Sequence, residues 1–230
     1  MFDGKLKAVT FSYDDGVTQD IRLIEILNRY GLKSTFNLNS ELLGKDGSLE
    51  IMGKRISHVK VKPNEVAEIY KGHEIAAHTL THPDMTEMAE SEVIRQVERD
   101  RQNLGELAGC EVVGMAYPGS RPNYNSRIAE IIEKNTGIKY ARTTVCSNDF
   151  SPQRDLYEFH PSVHHSDWSK LYELAEKFTA LKPTSEKIFY IWGHSYELDI
   201  NDEWDKFEEF CKFISNRDDV FYGTNRDILL

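Results

Sequence analysis

The sequence predicts an α/β fold: a (β/α) barrel of seven or eight parallel strands. Two observations point there. Short runs rich in β-branched and aromatic residues alternate with amphipathic helical stretches along the chain, and that alternation implies βα units and a parallel sheet. The residues best suited to chemistry also fall repeatedly just after a predicted strand, on the face where such barrels build their sites. At 230 residues the chain suits one such barrel, so a single domain over residues 1–230 is expected.

The predicted strands are Lys7–Tyr13, Ser34–Leu38, Glu74–Ala77, Val112–Tyr117, Ile138–Thr144, Tyr157–His160, Ile188–Trp192 and Val220–Tyr222. Helical periodicity appears in Asp20–Tyr30, Asn64–Tyr70, Ser91–Leu107, Ser126–Asn135, Trp168–Ala180 and Glu203–Ile214. Gly31, Gly109 and Gly137 stand where helix C-caps are expected. Residues Glu41–Lys62 break the rhythm, being rich in Gly and Lys. They read as an insertion on the rim at about 41–62, either a long loop or a small hairpin.

Composition narrows the function. The formal net charge is -10 and no basic stripe stands out, which argues against a nucleic-acid partner and an anionic membrane surface. No apolar stretch approaches the roughly 18 residues of a transmembrane helix. The N-terminal MFDGKLKAVTFSYDD has no apolar h-region, so a cytoplasmic location is expected. Cys110, Cys146 and Cys211 are scattered and form no CxxC pair, as befits reduced thiols.

The first strand ends in VTFSYDDG, residues 9–16. Asp-Gly is a turn signal, but two adjacent carboxylates are also tolerated where a cation sits beside them. The third strand ends in GHEIAAHTLTHPDM, residues 72–85, with His78 and His82 four apart. In a strand they would lie about 13 Å apart, too far to share one ion. A single turn would bring them onto one face. Tyr117-Pro118-Gly119 follows the fourth strand, His160 ends the sixth, and Trp192-Gly193-His194 ends the seventh. Two His and one Asp make a three-ligand site with open positions, the pattern of a catalytic metal.

These stretches resemble the polysaccharide deacetylases, carbohydrate esterase family 4, also called the NodB homology domain. SYDDG is similar to the family's TFDDG, and GHEIAAHTLTH to its GHEIGNHTxxH; AYPG and IWGH look like variants of later motifs. The resemblance runs in order from about residue 5 to residue 225. It implies a distorted barrel whose divalent ion, Zn²⁺ or otherwise Co²⁺, Ni²⁺ or Mn²⁺, is held by Asp15, His78 and His82. It also makes Asp14 the general base and His194 the general acid. The reaction it implies is removal of N-acetyl groups from acetylated carbohydrates by a water that the metal activates. Gly119 would offer a backbone N–H to the oxyanion, with Tyr117 and Pro118 beside it. Trp192 either stacks on a sugar ring or packs in the core. His160 either lines the pocket or ends its strand structurally.

The chain departs from the family in its third motif. Ala116 stands where arginine is common and Gly119 where tyrosine is common. Arg121 is either a substitute or an ordinary surface arginine. The fourth motif matches both Asp149-Phe150 and Asp167-Trp168. Two alternatives stay open: a hydrolase of the same fold that cuts C–N bonds in a small cyclic imide, ureide or formamide, and a non-catalytic relative that binds metal or glycan. His164-His165 with Asp167 has metal-like composition, but ahead of a helix Asp167 reads as an N-cap. His58 is expected to be solvated in the rim loop, His73 to pack at a strand start, and Glu98–Arg101 to form the wet face of a helix.

Overall fold

A computed structural model describes residues 2–119 and 123–230. Strand β1 (Lys7–Asp14) leads to α1 (Asp20–Arg29) and β2 (Ser34–Leu38). The hairpin β3 (Ser48–Ile51) and β4 (Lys54–Ser57) comes next, then α2 (Val66–Ile69) and β5 (Glu74–Ala77). The chain continues through α3 (Glu90–Ala108), β6 (Gly114–Ala116), α4 (Ser126–Asn135), β7 (Tyr140–Arg142), β8 (Val163–His164) and α5 (Trp168–Ala180). It ends with β9 (Lys187–Gly193), α6 (Glu197–Ile200), α7 (Trp204–Ile214), β10 (Val220–Tyr222) and α8 (Asn225–Leu229).

The main sheet runs β7-β6-β5-β2-β1-β9-β8, all parallel. Strand β10 lies beside Lys7–Val9 of β1, and β2 beside Phe11–Asp14. The sheet curls, and beyond β7 an isolated parallel bridge pairs Arg142 with Phe159 in the segment that leads to β8. This is the distorted barrel. Every residue of β1 and β2 is buried, as expected for parallel strands covered on both faces. The helices cover the outside with spaced apolar residues: Leu171, Leu174, Ala175 and Phe178 in α5, and Ile128, Ile131 and Ile132 in α4.

The rim insertion is a hairpin turned at Met52 and Gly53, both with positive φ (52° and 74°), the geometry of a tight two-residue turn. Two sequence expectations fail. Tyr157–His160 is no strand. Asp155 Oδ1 accepts the N–H groups of Tyr157 and Glu158, folding them into a turn, and only Phe159 pairs with β7. The strand that belongs there is β8, so His164, not His160, ends it. Gly137 is not a left-handed cap either. The helix ends at Asn135, and Thr136 in extended backbone (φ −130°, ψ 167°) caps it.

Candidate active site

Asp14 closes β1, and Asp15 (φ 86°) and Gly16 (φ 62°) turn the chain away. At Gly16 the positive φ favours glycine, and a Cβ there would also lie 2.7 Å from Leu38 Cδ2. The Asp-Gly pair is therefore a true turn, and it sends the two carboxylates to different partners. Asp14 receives Asn37 Nδ2 at 2.8 Å and the guanidinium of Arg142 on both oxygens. Asp15 receives Lys60 Nζ at 3.2 Å and lies 3.3 Å from His58 Nε2. Burial works against both charges, yet both carboxyls stay below their ordinary values. Arg142, then His78 and His194, hold Asp14 down; His58 and Lys60 hold Asp15 well down.

The segment after β5 is not a helical turn. Thr79 and His82 are left-handed, with φ 67° and 59°, and Thr79 Oγ1 accepts the His82 N–H at 3.1 Å. The two imidazoles still meet, their ring centroids 5.0 Å apart. Asp100 Oδ2 accepts the His78 N–H at 2.9 Å, and His78 Nδ1 lies 2.9 Å from the Ala116 carbonyl. His78 Nε2 is buried and has no partner. Burial pushes its pKa down to about 4, so the ring is neutral. One ligand atom from each of Asp15, His78 and His82 lies within 4.8 Å of the others.

Strand β9 pairs with β1 in register, Gly193 opposite Tyr13. That pairing carries His194 to Asp14: Nε2 lies 3.9 Å from Asp14 Oδ2, and Nδ1 lies 3.2 Å from Glu197 Oε1. Burial would lower the pKa of His194. The Glu197 carboxylate, then Asp15 and Asp14, outweigh it and raise the pKa to about 9. His194 is thus a cation at neutral pH beside an anionic Asp14.

A cavity of about 390 Å³ opens at this end of the barrel. Of the residues predicted from sequence, Asp14, Asp15, His82, Gly119, Trp192 and His194 line it. His78 is buried against Asp14, 4.0 Å away. Tyr117, Pro118 and His160 are not among the lining residues. Tyr117 is buried, stacked on Tyr124, and donates its hydroxyl to the Tyr157 carbonyl, and His160 pairs with Thr143 Oγ1 at 2.6 Å. Gly119 N–H donates to His82 Nε2 at 3.3 Å. The Trp192 ring carries Arg142 at 4.5 Å and the edge of His164 at 4.5 Å. A larger cavity, about 440 Å³, opens at the opposite end beside Glu74, the first residue of β5; Asp15, His78 and His82 do not line it.

Several functional neighbours escaped the sequence reading. Arg142, at the end of β7, supplies the charge beside Asp14 that the third motif lacks. Arg121 lies outside the described residues. Asp100 is buried under His78, not on a wet helix face. Its burial raises its pKa to about 7 despite hydrogen bonds from Ser40 and His78. His58 is only 19% exposed and packs on Tyr196; the rim hairpin delivers it with Lys60. Neither fourth-motif match reaches the cavity: Asp167 caps α5 through the Lys170 N–H at 3.1 Å, and Asp149 is exposed while Phe150 sits in the core.

The family model described as polysaccharide deacetylase matches residues 3–141, more than half of the chain. The chain belongs to the polysaccharide deacetylase family. No curated protein matches it significantly. Among solved structures, it is similar to the peptidoglycan deacetylase PdaC from Bacillus subtilis at 14% identity and a TM-score of 0.59, covering 98% of this chain and 90% of that one. It is also similar to a family 4 acetyl xylan esterase from Clostridium thermocellum in complex with a cobalt ion, at 14% identity, TM-score 0.58 and coverage of 96% and 90%. A family 4 pseudoenzyme from Bacillus anthracis aligns at 15% identity, TM-score 0.55 and coverage of 97% and 66%. At these identities the likeness establishes the shared fold. No helix among the described residues is long and apolar enough to cross a membrane.

Proposed function

We propose that this chain is a metal-dependent hydrolase that removes N-acetyl groups from acetylated carbohydrates. The observation that carries this reading is the bare Nε2 of His78, buried and unpartnered within reach of Asp15 and His82. A buried polar atom without a partner is costly unless something binds it. The donor set fits a divalent ion: two imidazoles and one carboxylate, with Asp15 held ionised and His78 neutral. Lys60 and His58 already touch Asp15, but a carboxylate has about four lone-pair sites, so room for an ion remains. Zn²⁺ suits this set best, with Co²⁺, Ni²⁺ and Mn²⁺ as alternatives. When bound, such an ion supplies Lewis acidity toward the acetyl carbonyl and lowers the pKa of water.

The chain's own residues do the rest. Asp14, anionic and fixed by Arg142 and Asn37, accepts the proton of the attacking water. His194, cationic opposite it, donates a proton to the leaving amine. Gly119 N–H is the assigned oxyanion donor, exchanging His82 Nε2 for the carbonyl oxygen. The site retains both Asp14 and His194, which a mere metal- or glycan-binding relative would not need. A second reading, hydrolysis of a small cyclic amide, is favoured by the cavity's modest size of about 390 Å³.

Metal content paired with acetate release from acetylated oligosaccharides and from small cyclic amides tests both readings. His78→Ala and His82→Ala should each lose this ion and all turnover together, since two protein ligands hold an open site weakly. Full metal occupancy after either substitution would misplace the site. Turnover of the cyclic amides alone would select the second reading.

A further inference from the structure

Across the cavity from the Asp15 group lies a second cluster: His164, His165 and Glu197. It shares no residue with the first; of its three members only Glu197 also touches the proposed chemistry, through His194 Nδ1 at 3.2 Å. The barrel assembles it from two places. His164 ends β8 and His165 follows it, while Glu197 begins α6 in the loop after β9.

Two features set these side chains apart from ordinary packing. The first is orientation. His165 Nδ1 lies 3.3 Å from the buried Tyr13 hydroxyl, and His164 Nδ1 lies 2.7 Å from Ser166 Oγ, with Ser166 N also 3.3 Å away. Each far nitrogen is tied to a hydroxyl, and each Nε2 faces Glu197. For His165 this matches the way metal-ligating histidines are fixed through the other ring nitrogen. The second is convergence. His165 Nε2 at 2.8 Å and the His194 N–H at 3.1 Å bond to Glu197 Oε2, and His164 Nε2 stands 3.3 Å from the same oxygen without a hydrogen bond to it. An ion between the two Nε2 atoms and Oε2 would take both nitrogens as ligands and give His164 Nε2 a partner.

We propose that His164, His165 and Glu197 form a second divalent-metal site on the cavity wall. Two imidazoles and one carboxylate suit a first-row ion such as Zn²⁺, Ni²⁺ or Co²⁺. The neighbouring cations do not forbid it: Arg142 is paired with Asp14, and His194 is flanked by Asp14 and the other oxygen of Glu197. His164 and Glu197 each keep about a fifth of their side chain exposed, 21%, and both line the cavity. An ion has an entry path and an open position facing the substrate. Loading would release the Nε2 protons, and on His165 the Tyr13 hydroxyl stands where it can accept a proton moved to Nδ1.

The test is stoichiometry, which needs no turnover. Metal-free protein is equilibrated with Zn²⁺, then separately with Ni²⁺, and bound metal is counted by mass spectrometry. The wild type should bind two ions per chain. His164→Ala and the gentler His164→Asn, each checked for a wild-type circular dichroism spectrum and melt, should bind one. His78→Ala should also bind one, retained at the second site. A wild type that binds one ion lost in His78→Ala and kept in His164→Ala would overturn this proposal and leave the first site standing. Two ions persisting in both His164 variants would overturn it as well. One ion lost in His164→Ala and kept in His78→Ala would instead sink the reading of the Asp15 group.

Discussion

The two walls of the cavity use the same residue types and solve opposite problems. On the β1/β5 wall, Asp15, Thr79 and His82 are held left-handed, each at a cost of about 1–3 kcal/mol, and His78 Nε2 is left bare. On the β8/β9 wall the Glu197 carboxylate already accepts from His165 Nε2 and the His194 N–H, with His164 Nε2 3.3 Å away. One wall holds an atom without a partner, and on the other the polar groups meet one another. Strain and an orphaned atom are what a site built around a bound ion would show. Between the walls stand Asp14 and His194, each with its charge set by its protein neighbours, and the proposed chemistry rests on them.

That division predicts the largest effect for Asp14. Asp14→Asn should keep the full metal content of the wild type and lower kcat by about 10²–10⁴, the usual contribution of a positioned general base. Metal analysis beside steady-state kinetics reads both at once. If Asp14→Asn lost the ion while Asp15→Asn kept it, the roles of the two carboxylates would be exchanged.

His194→Ala should lose nearly as much on amide substrates and clearly less on an activated aryl acetate, whose leaving group needs no proton. Equal losses on both substrates would make His194 a binding residue. Arg142 comes next and acts on folding. Arg142→Leu leaves Asp14 buried without its counter-charge, so the protein should lose about 3–5 kcal/mol of stability, read from the denaturant midpoint. An unchanged midpoint would mean that Asn37 and His194 suffice to hold the anion.

The wall with the bare nitrogen was far more legible in sequence than the other. Its residues sit in two continuous stretches, 9–16 and 72–85, where an apolar strand runs into its polar end, so the chain order displays the site. The remainder depends on topology. Arg142 lies 128 positions from Asp14, and its one signal is a charge inside the strand-like run YAR. Glu197 reads as a loop acid until β9 returns beside β1. Asp100 is hidden in ERDR, where one face of α3 turns inward beneath His78. Lys60 and His58 come from an insertion whose periodicity says nothing about where it folds. The strand expected at Tyr157–His160 failed because the Asp155 turn and Pro161 interrupt a run with good β propensity. With it went the placement of His160, and His164 took the strand end.

The smallest expected effect is on stability against pH, and it reads the charge of His194. Its pKa is raised from 6.5 to about 9 by Glu197, Asp15 and Asp14. A group raised in this way stabilises the fold fully below its unfolded value, and the benefit fades as pH climbs through the folded value. Metal-free protein should therefore lose stability steadily between about pH 6.5 and pH 9. Asp20 and Asp100, both raised by burial to about 7, also lose folded-state protons as pH rises, but their share is complete soon after pH 7. The difference between wild type and His194→Ala, followed by thermal melts from pH 7 to 9.5, thus belongs to the imidazole. The variant should melt lower at pH 7 and converge on the wild type by pH 9.5. A constant gap across that range would show that His194 contributes packing alone, and that the proton needed by the leaving amine is held elsewhere.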